Sequence, residues 1–346
     1  LDITIVEDLI EEAGRIYGYD KIPTTLPSTD IKGGYSPIQL VRNRAHETLK
    51  ACGLTQVITY SLTSEEKATQ FLSLPADVKE TVKLSMPMSE ERAYLRQSTI
   101  PGLLEVVRYN NARTMANVAI YEIGKVYGQT EGDYVEETKI SGAVTGQLIQ
   151  NKWQGKVENV DFFVAKGYVE TLLTEMGHLN VTYRPVDATE YKDFHPGRSA
   201  VVLVNDVTVG VVGQVHPALQ QELDLNETYV FELSLDALYG LETSKPGYEI
   251  IAKHPGMTRD IALVVNREVL ADDLVQTIKK AANKLLQTVE VFDIYEGKGV
   301  EEGKKSVAIS LYYLDREKTL TDEDLQPTHQ KVLDALTAEH DAVLRG

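Results

Sequence analysis

The strongest constraint on the fold lies in the C-terminal part of the sequence. Residues 260–265 (DIALVV), 289–295 and 306–314 (SVAISLYYL) read as strands, and residues 342–344 as a fourth. Residues 271–286 read as a helix, with Leu274, Ile278, Ala281 and Leu285 on one stripe, and residues 321–336 as a second helix. The order β-α-β-β-α-β follows, which makes a split sandwich of two helices on four strands.

That order is the ferredoxin-like unit. Upstream the pattern is more mixed. Residues 3–5 are expected to form a short strand, followed by a helix carrying Leu9, Ile10, Ala13 and Ile16 and stopped at Gly18. Pro23, Pro27, Gly33 and Gly34 mark a linker. Ser36 is a good N-cap with Pro37 at the first helical position. Leu40, Ala45, Leu49 and Cys52 form that helix's apolar side, and Gly53 ends it. Strands are expected at 55–62, 80–86, 118–126, 139–145 and 229–233, and a hairpin at 200–215 turning on Asn205-Asp206. Helices are expected from Ser64, over 98–111 with Pro101 near its start, and over 161–176. The run from about 36 to 235 predicts an α+β domain on a largely antiparallel sheet.

Composition narrows the function classes. There are 35 Lys+Arg against 52 Asp+Glu in 346 residues, a formal charge of −17, which disfavours a sequence-blind nucleic-acid binder. Any RNA contact has to come from a few placed residues or from a partner that supplies positive field. The single cysteine, Cys52, excludes an internal disulfide and a Cys-based zinc site, and reads as a small buried apolar residue. No apolar run reaches the length of a membrane span. The start, Leu1-Asp2-Ile3-Thr4, lacks an initiator Met and is neither a signal nor a transit peptide, so the sequence is expected to be a piece of a longer chain.

Three stretches, in order, carry a family resemblance. Residues 2–12 (DITIVEDLIEE) continue to Arg15-Ile16-Tyr17-Gly18-Tyr19-Asp20-Lys21-Ile22-Pro23. Residues 94–104 (YLRQSTIPGLL) are followed by Asn110, Asn111 and Arg113, and later by Phe194-His195-Pro196-Gly197-Arg198. Arg259-Asp260-Ile261-Ala262 precede Phe292-Asp293-Ile294-Tyr295-Glu296-Gly297 and Leu320-Thr321-Asp322-Glu323. Together they resemble the β subunit of bacterial phenylalanine–tRNA ligase (phenylalanyl-tRNA synthetase). The resemblance implies the end of a winged-helix-like (B5-type) module over 1–24 and a linker over 25–35. It implies a non-catalytic class II synthetase-like core over 36–240, a linker over 241–251, and a ferredoxin-fold anticodon-binding domain over 252–346. It also implies a cytoplasmic α₂β₂ heterotetramer that joins phenylalanine to tRNA(Phe) with ATP, its active site in the α subunit, with no membrane attachment. The β core is then a docking frame, with the helix from Ser36 to Gly53 and the adjoining strand as the candidate junction. Relative to the family, the tRNA-binding barrel, the editing module and most of the winged-helix module are missing.

Asp8, Glu11 and Glu12 stand at i, i+3 and i+4 on one helix face, and Asp2 can fold back towards them. Hard oxygen donors of this kind suit Mg²⁺; acidic decoration of a helix N-terminus is the alternative. The resemblance makes these four the Mg²⁺ ligands, shared with α and held weakly, if at all, in this piece alone. Asp293 and Tyr295 lie two apart on a strand and share a face, so Tyr295 can stack a base and Asp293 can accept from a guanine edge. Val289, Val291 and Phe292 straddle both faces, leaving core packing as the alternative. Arg259, Lys304 and Lys305 are candidate phosphate contacts or simply solvated cations.

No catalytic residue is expected. Residues 118–126 sit where an adenylate-forming motif-2 strand would, but carry Tyr121-Glu122 and no preceding arginine; residues 209–215 have glycines without a following arginine. Phe194-His195-Pro196-Gly197-Arg198 reads as a rigid turn rather than a phosphate site. Two rival readings are a regulatory ferredoxin-like protein binding a small metabolite and a metal-dependent enzyme built on the acidic quartet.

Overall fold

The computed structural model describes residues 2–26, 28, 30, 32–72, 80–151, 153–244, 247–248 and 250–345. Pro27 of the first expected linker, and Lys245 and Pro246 of the second, lie outside the described residues. The chain divides into two units, residues 1–40 and 41–346.

In the first unit, helix α1 (Val6–Tyr17) starts where Asp8 reaches back to the backbone. Its carboxylate accepts from the N–H groups of Thr4 (2.7 Å) and Ile5 (3.0 Å), satisfying donors that the first helical turn leaves open. Gly18, at φ +98°, ends the helix. The strand expected at 3–5 does not form, because these N–H groups are spent on Asp8 rather than on a neighbouring strand. No residue of α1 is buried. Helix α2 (Pro37–Ala51) opens as the sequence predicts: the Ser36 N–H donates to the Gln39 side chain and the Gln39 N–H to Ser36 Oγ.

In the second unit a seven-stranded sheet is built from β1 (Thr55–Gln56), β4 (Val118–Thr130), β5 (Asp133–Thr145), β8 (Val181–Pro185), β9 (Phe194–Val204), β10 (Val207–Val215) and β11 (Thr228–Ser234). Its order is β1-β4-β5-β11-β10-β9-β8, antiparallel except for the short β1–β4 pair. Two small ribbons accompany it, β2 (Leu62–Thr63) with β3 (Tyr94–Leu95), and β6 (Gln147–Asn151) with β7 (Lys156–Asn159). Helices α3 (Glu65–Ala68), α4 (Ile100–Asn111), α5 (Phe162–Glu175), α6 (Pro217–Glu222) and α7 (Leu235–Gly240) complete this part. Ile100, Leu103, Leu104 and Val107 of α4 pack on Val118, Ile120, Ala143 and Val230, forming one side of the core.

Several expectations are corrected here. The strand at 55–62 is reduced to β1 and the start of β2, and the one at 80–86 to isolated bridges at Glu80 and Lys83. β4 and β5 are far longer than expected, each 13 residues, and turn on Glu131 and Gly132 at φ +49° and +95°, the geometry of a primed hairpin turn. The Asn205-Asp206 turn forms as expected, at φ +49° and +64°. Residues 195–198 belong to β9 yet stand out from it, since the ladder jumps from Ser199 opposite Gly213 to Phe194 opposite Val215.

The C-terminal part has the expected order: β12 (Met257–Asn266), α8 (Ala271–Ala281), β13 (Leu286–Tyr295), β14 (Lys304–Tyr313), α9 (Asp322–His340) and β15 (Val343–Leu344). Its sheet order is β13-β14-β12-β15, all antiparallel. Helix α8 stops five residues earlier than expected, so that Leu285 precedes a strand instead of lying on the helical stripe. Ile261, Leu263, Val265, Val307, Ile309 and Leu311 point to the helices and bury Leu274, Ile278, Val332 and Leu336. Helix α9 starts with a reciprocal cap between Thr321 and Asp324. Lys318 and the Thr321 N–H hold the Asp324 carboxyl down to about 2.

Candidate nucleic-acid interface

With both helices on one side, the four-stranded sheet keeps an open face. Register decides which residues reach it. On β14, Val307, Ile309 and Leu311 are fully buried on the helix side, so Ser306, Ala308, Ser310 and Tyr312 point the other way. Val289 and Val291 of β13 lie opposite Leu311 and Ile309 and therefore face the helices. Period-2 alternation would carry Asp293 and Tyr295 to the same side. The ladder slips between Val291 and Asp293, leaving Phe292 as the extra residue of a bulge. Asp293 then stands opposite Ala308 and Tyr295 opposite Ser306, both on the open face. Asp293 is exposed and Tyr295 is 38% exposed, so neither is core packing.

The basic candidates divide. Lys304, opposite Asn266, shares the open face and pairs with Glu301 at 2.7 Å. Arg259, opposite Leu311, lies on the helix side and pairs with Asp322 at the start of α9. Lys305, opposite Val265, also falls on the helix side. The structure thus brings Asp293, Tyr295 and Lys304 to one surface and leaves Arg259 and Lys305 off it.

Three members of the acidic quartet have partners of their own. Asp8 caps its helix, and the two backbone N–H groups lower its carboxyl pKa. Glu11 accepts from the Tyr19 hydroxyl at 2.8 Å, and Glu12 pairs with Arg15. Among the described residues no three His, Cys, Asp or Glu side chains gather as a metal site. Carboxylate oxygens already facing N–H and O–H donors do not by themselves fit Mg²⁺.

The antiparallel core buries charge instead of presenting it. Arg96 and Glu122 form a 2.9 Å ion pair with side chains 7% and 4% exposed. Arg96 also donates to Thr59 Oγ1 and to the Lys125 carbonyl, and Thr59 Oγ1 donates to Glu122 at 2.6 Å. In the same row, two strands further in, Glu232 is fully buried; its Oε1 accepts from Ser98, Ser141 and both the N–H and hydroxyl of Thr99. A sequence pattern could not reveal this node, since its members come from three distant segments. His195 Nδ1 accepts from the Gly197 N–H within the excursion of β9, a local turn contact.

Residues 22–235 match the family model described as the phenylalanyl tRNA synthetase beta chain CLM domain, and residues 252–345 match the ferredoxin-fold anticodon binding domain. The chain belongs to the phenylalanyl-tRNA synthetase β-chain family. Curated relatives named phenylalanine–tRNA ligase beta subunit agree across its length. Those from Bacillus subtilis and Bacillus licheniformis are each 50% identical over 100% of this chain and 43% of their own, and that from Geobacillus kaustophilus is 46% identical with the same coverage. The chain therefore spans 43% of the length of these β subunits. A pyrrolysyl-tRNA synthetase from Desulfitobacterium hafniense overlaps 58% of this chain and 67% of its own at 15% identity and TM-score 0.43, too loose a likeness to argue from. In this β-chain family member, no helix among the described residues is long and apolar enough to cross a membrane.

Proposed function

We propose that this chain is the C-terminal part of a non-catalytic β subunit of phenylalanine–tRNA ligase. Its partner α subunit forms adenylate and aminoacyl-tRNA, and the β chain docks α and holds tRNA(Phe) in a cytoplasmic α₂β₂ assembly. The observation that carries this reading, beyond family membership, is the bulge that turns Asp293 and Tyr295 onto one open sheet face. There the Tyr295 ring is available to stack a single-stranded base. The Asp293 carboxylate can accept from the N1–H and N2–H₂ of guanine, the first base of a phenylalanine anticodon.

The core is then a class II synthetase-like frame over 36–240, between a B5-type remnant and linker at 1–35 and a second linker at 241–251. Its inactivity rests on the missing arginines before Tyr121-Glu122 and after residues 209–215; the Arg96 guanidinium, spent on Glu122, Thr59 and the Lys125 carbonyl, is not offered to a phosphate either. Ile58 and Tyr60, 88% and 74% exposed, lie in the segment that follows α2 and fit a surface covered by the α subunit. Any Mg²⁺ at Asp2, Asp8, Glu11 and Glu12 is read as one completed by that partner, since among the described residues no three such side chains gather as a metal site.

The test uses the full-length β subunit assembled with α. Asp293→Ala and Tyr295→Ala should reduce aminoacylation of tRNA(Phe) far more than amino-acid activation. Equal losses in both reactions would refute anticodon contact.

A further inference from the structure

Tyr295 has a companion. The Arg345 guanidinium lies 5.4 Å from the centroid of its ring. Arg345 follows β15, and its N–H donates to the Ala262 carbonyl at 2.8 Å, which extends the ladder by one residue. Across the open face, one row therefore runs Asp293, Ala308, Ala262, Arg345. Three strand spacings make this row about 14 Å long. Two alanines give it a flat floor, Asp293 and Tyr295 stand on one side, and Arg345 leans across from the other. The Tyr295 ring is held in addition by its hydroxyl, which donates to the Lys298 carbonyl at 3.3 Å.

Charge bears on the same residue. Residues 252–346 hold 13 Lys+Arg and 17 Asp+Glu, so the domain repels phosphate on balance. Several of its cations are also neutralised by carboxylates: Arg259 by Asp322, Arg267 by Glu296, Lys304 by Glu301 and Lys318 by Asp324. Arg345 rests on an aromatic ring, where its positive charge stays available to an anion.

We propose that Arg345 is a third RNA-contacting residue of this face. It positions the Tyr295 ring for stacking and receives the phosphate that flanks the stacked base. The inference rests on the reading of Asp293 and Tyr295 given above. It calls for a guanidinium and not only a positive charge, because a planar fork can lie on a ring and still bond a phosphate, whereas a compact ammonium cannot do both in this geometry.

The test is a titration of the full-length subunit, assembled with its partner, against a tRNA(Phe) transcript at increasing salt. Arg345→Ala should weaken binding about tenfold and lower the slope of log affinity against log salt by about 1. Arg345→Lys should keep the slope but not the affinity. Lys279→Ala, which removes the same charge from α8 on the helix side, should bind like wild type. If Tyr295→Ala weakens binding while Arg345→Ala does not, or if Arg345→Lys binds fully, the role of Arg345 is refuted and base stacking stands. If Tyr295→Ala also binds like wild type, the reading of the whole face falls with it. Should Arg345→Ala fail to fold, as judged by its melting curve, the affinity of Arg345→Lys decides alone.

Discussion

Arg96 and Glu122 meet at 2.9 Å inside the antiparallel core, each less than a tenth exposed, with Thr59 bonded to both. Removing one partner leaves the other charged and buried. Arg96→Met should therefore cost about 3–5 kcal/mol of stability. The double variant Arg96→Met/Glu122→Leu should recover much of that loss. Urea unfolding of the single and double variants completes the cycle, and simple additivity would show that the pair is not coupled.

Deleting Phe292 tests the bulge directly. Without the extra residue, Asp293 follows Val291 directly and keeps Ala308 opposite it, and Tyr295 keeps Ser306, so both stay on the open face in a regular ladder. The deletion should preserve the contribution of both residues to tRNA binding, so that adding Tyr295→Ala weakens binding as it does in wild type. If Tyr295→Ala has no effect in the deletion background, this register is contradicted.

Gly142 lies directly opposite Phe231, and a Cβ at Gly142 would run into the Phe231 ring. Phe231 is fully buried and has no room to yield. Gly142→Ala should destabilise the sheet by about 1–3 kcal/mol through overpacking. Thermal melts compared with wild type check it, the alternative being the small gain expected of a glycine removed from an unobstructed strand.

Two histidines predict an acid sensitivity well above the carboxylate range. Burial lowers the pKa of His178 and of His329, the latter also beside Arg259. Above about pH 6.5 both imidazoles are neutral, folded or unfolded, and contribute no pH dependence. As pH falls through that value, the unfolded chain takes up protons that the folded chain refuses, and stability drops. The loss reaches at most about 1.4 kcal/mol per histidine at pH 5.5. Urea midpoints between pH 7.5 and 5.5 should fall in wild type and fall less in His178→Gln/His329→Gln.

Local chemistry made much of the fold legible. The helical stripe of Leu274 and Ile278, the Asn205-Asp206 turn and the Ser36 cap each need only neighbouring residues to be understood. Residues 133–138 (DYVEET) were hidden because their polar side chains mask a strand whose pairing comes from β4 across the Glu131-Gly132 turn. At the candidate interface, the sequence showed that Asp293 and Tyr295 share a face but not which face. A single bulged phenylalanine decided that, and a bulge leaves no mark on alternation until the partner strand is known. Arg345 was out of reach for the same reason: fifty residues separate it from the ring it touches.

Helix α1 has twelve residues and buries none of them, so only short-range bonds hold it: Asp8 to the backbone, Glu12 to Arg15 and Tyr19 to Glu11. A helix of that length is marginal in water on such terms. Its amides should exchange with solvent long before those of the seven-stranded sheet, which makes α1 a segment that opens without the sheet having to unfold.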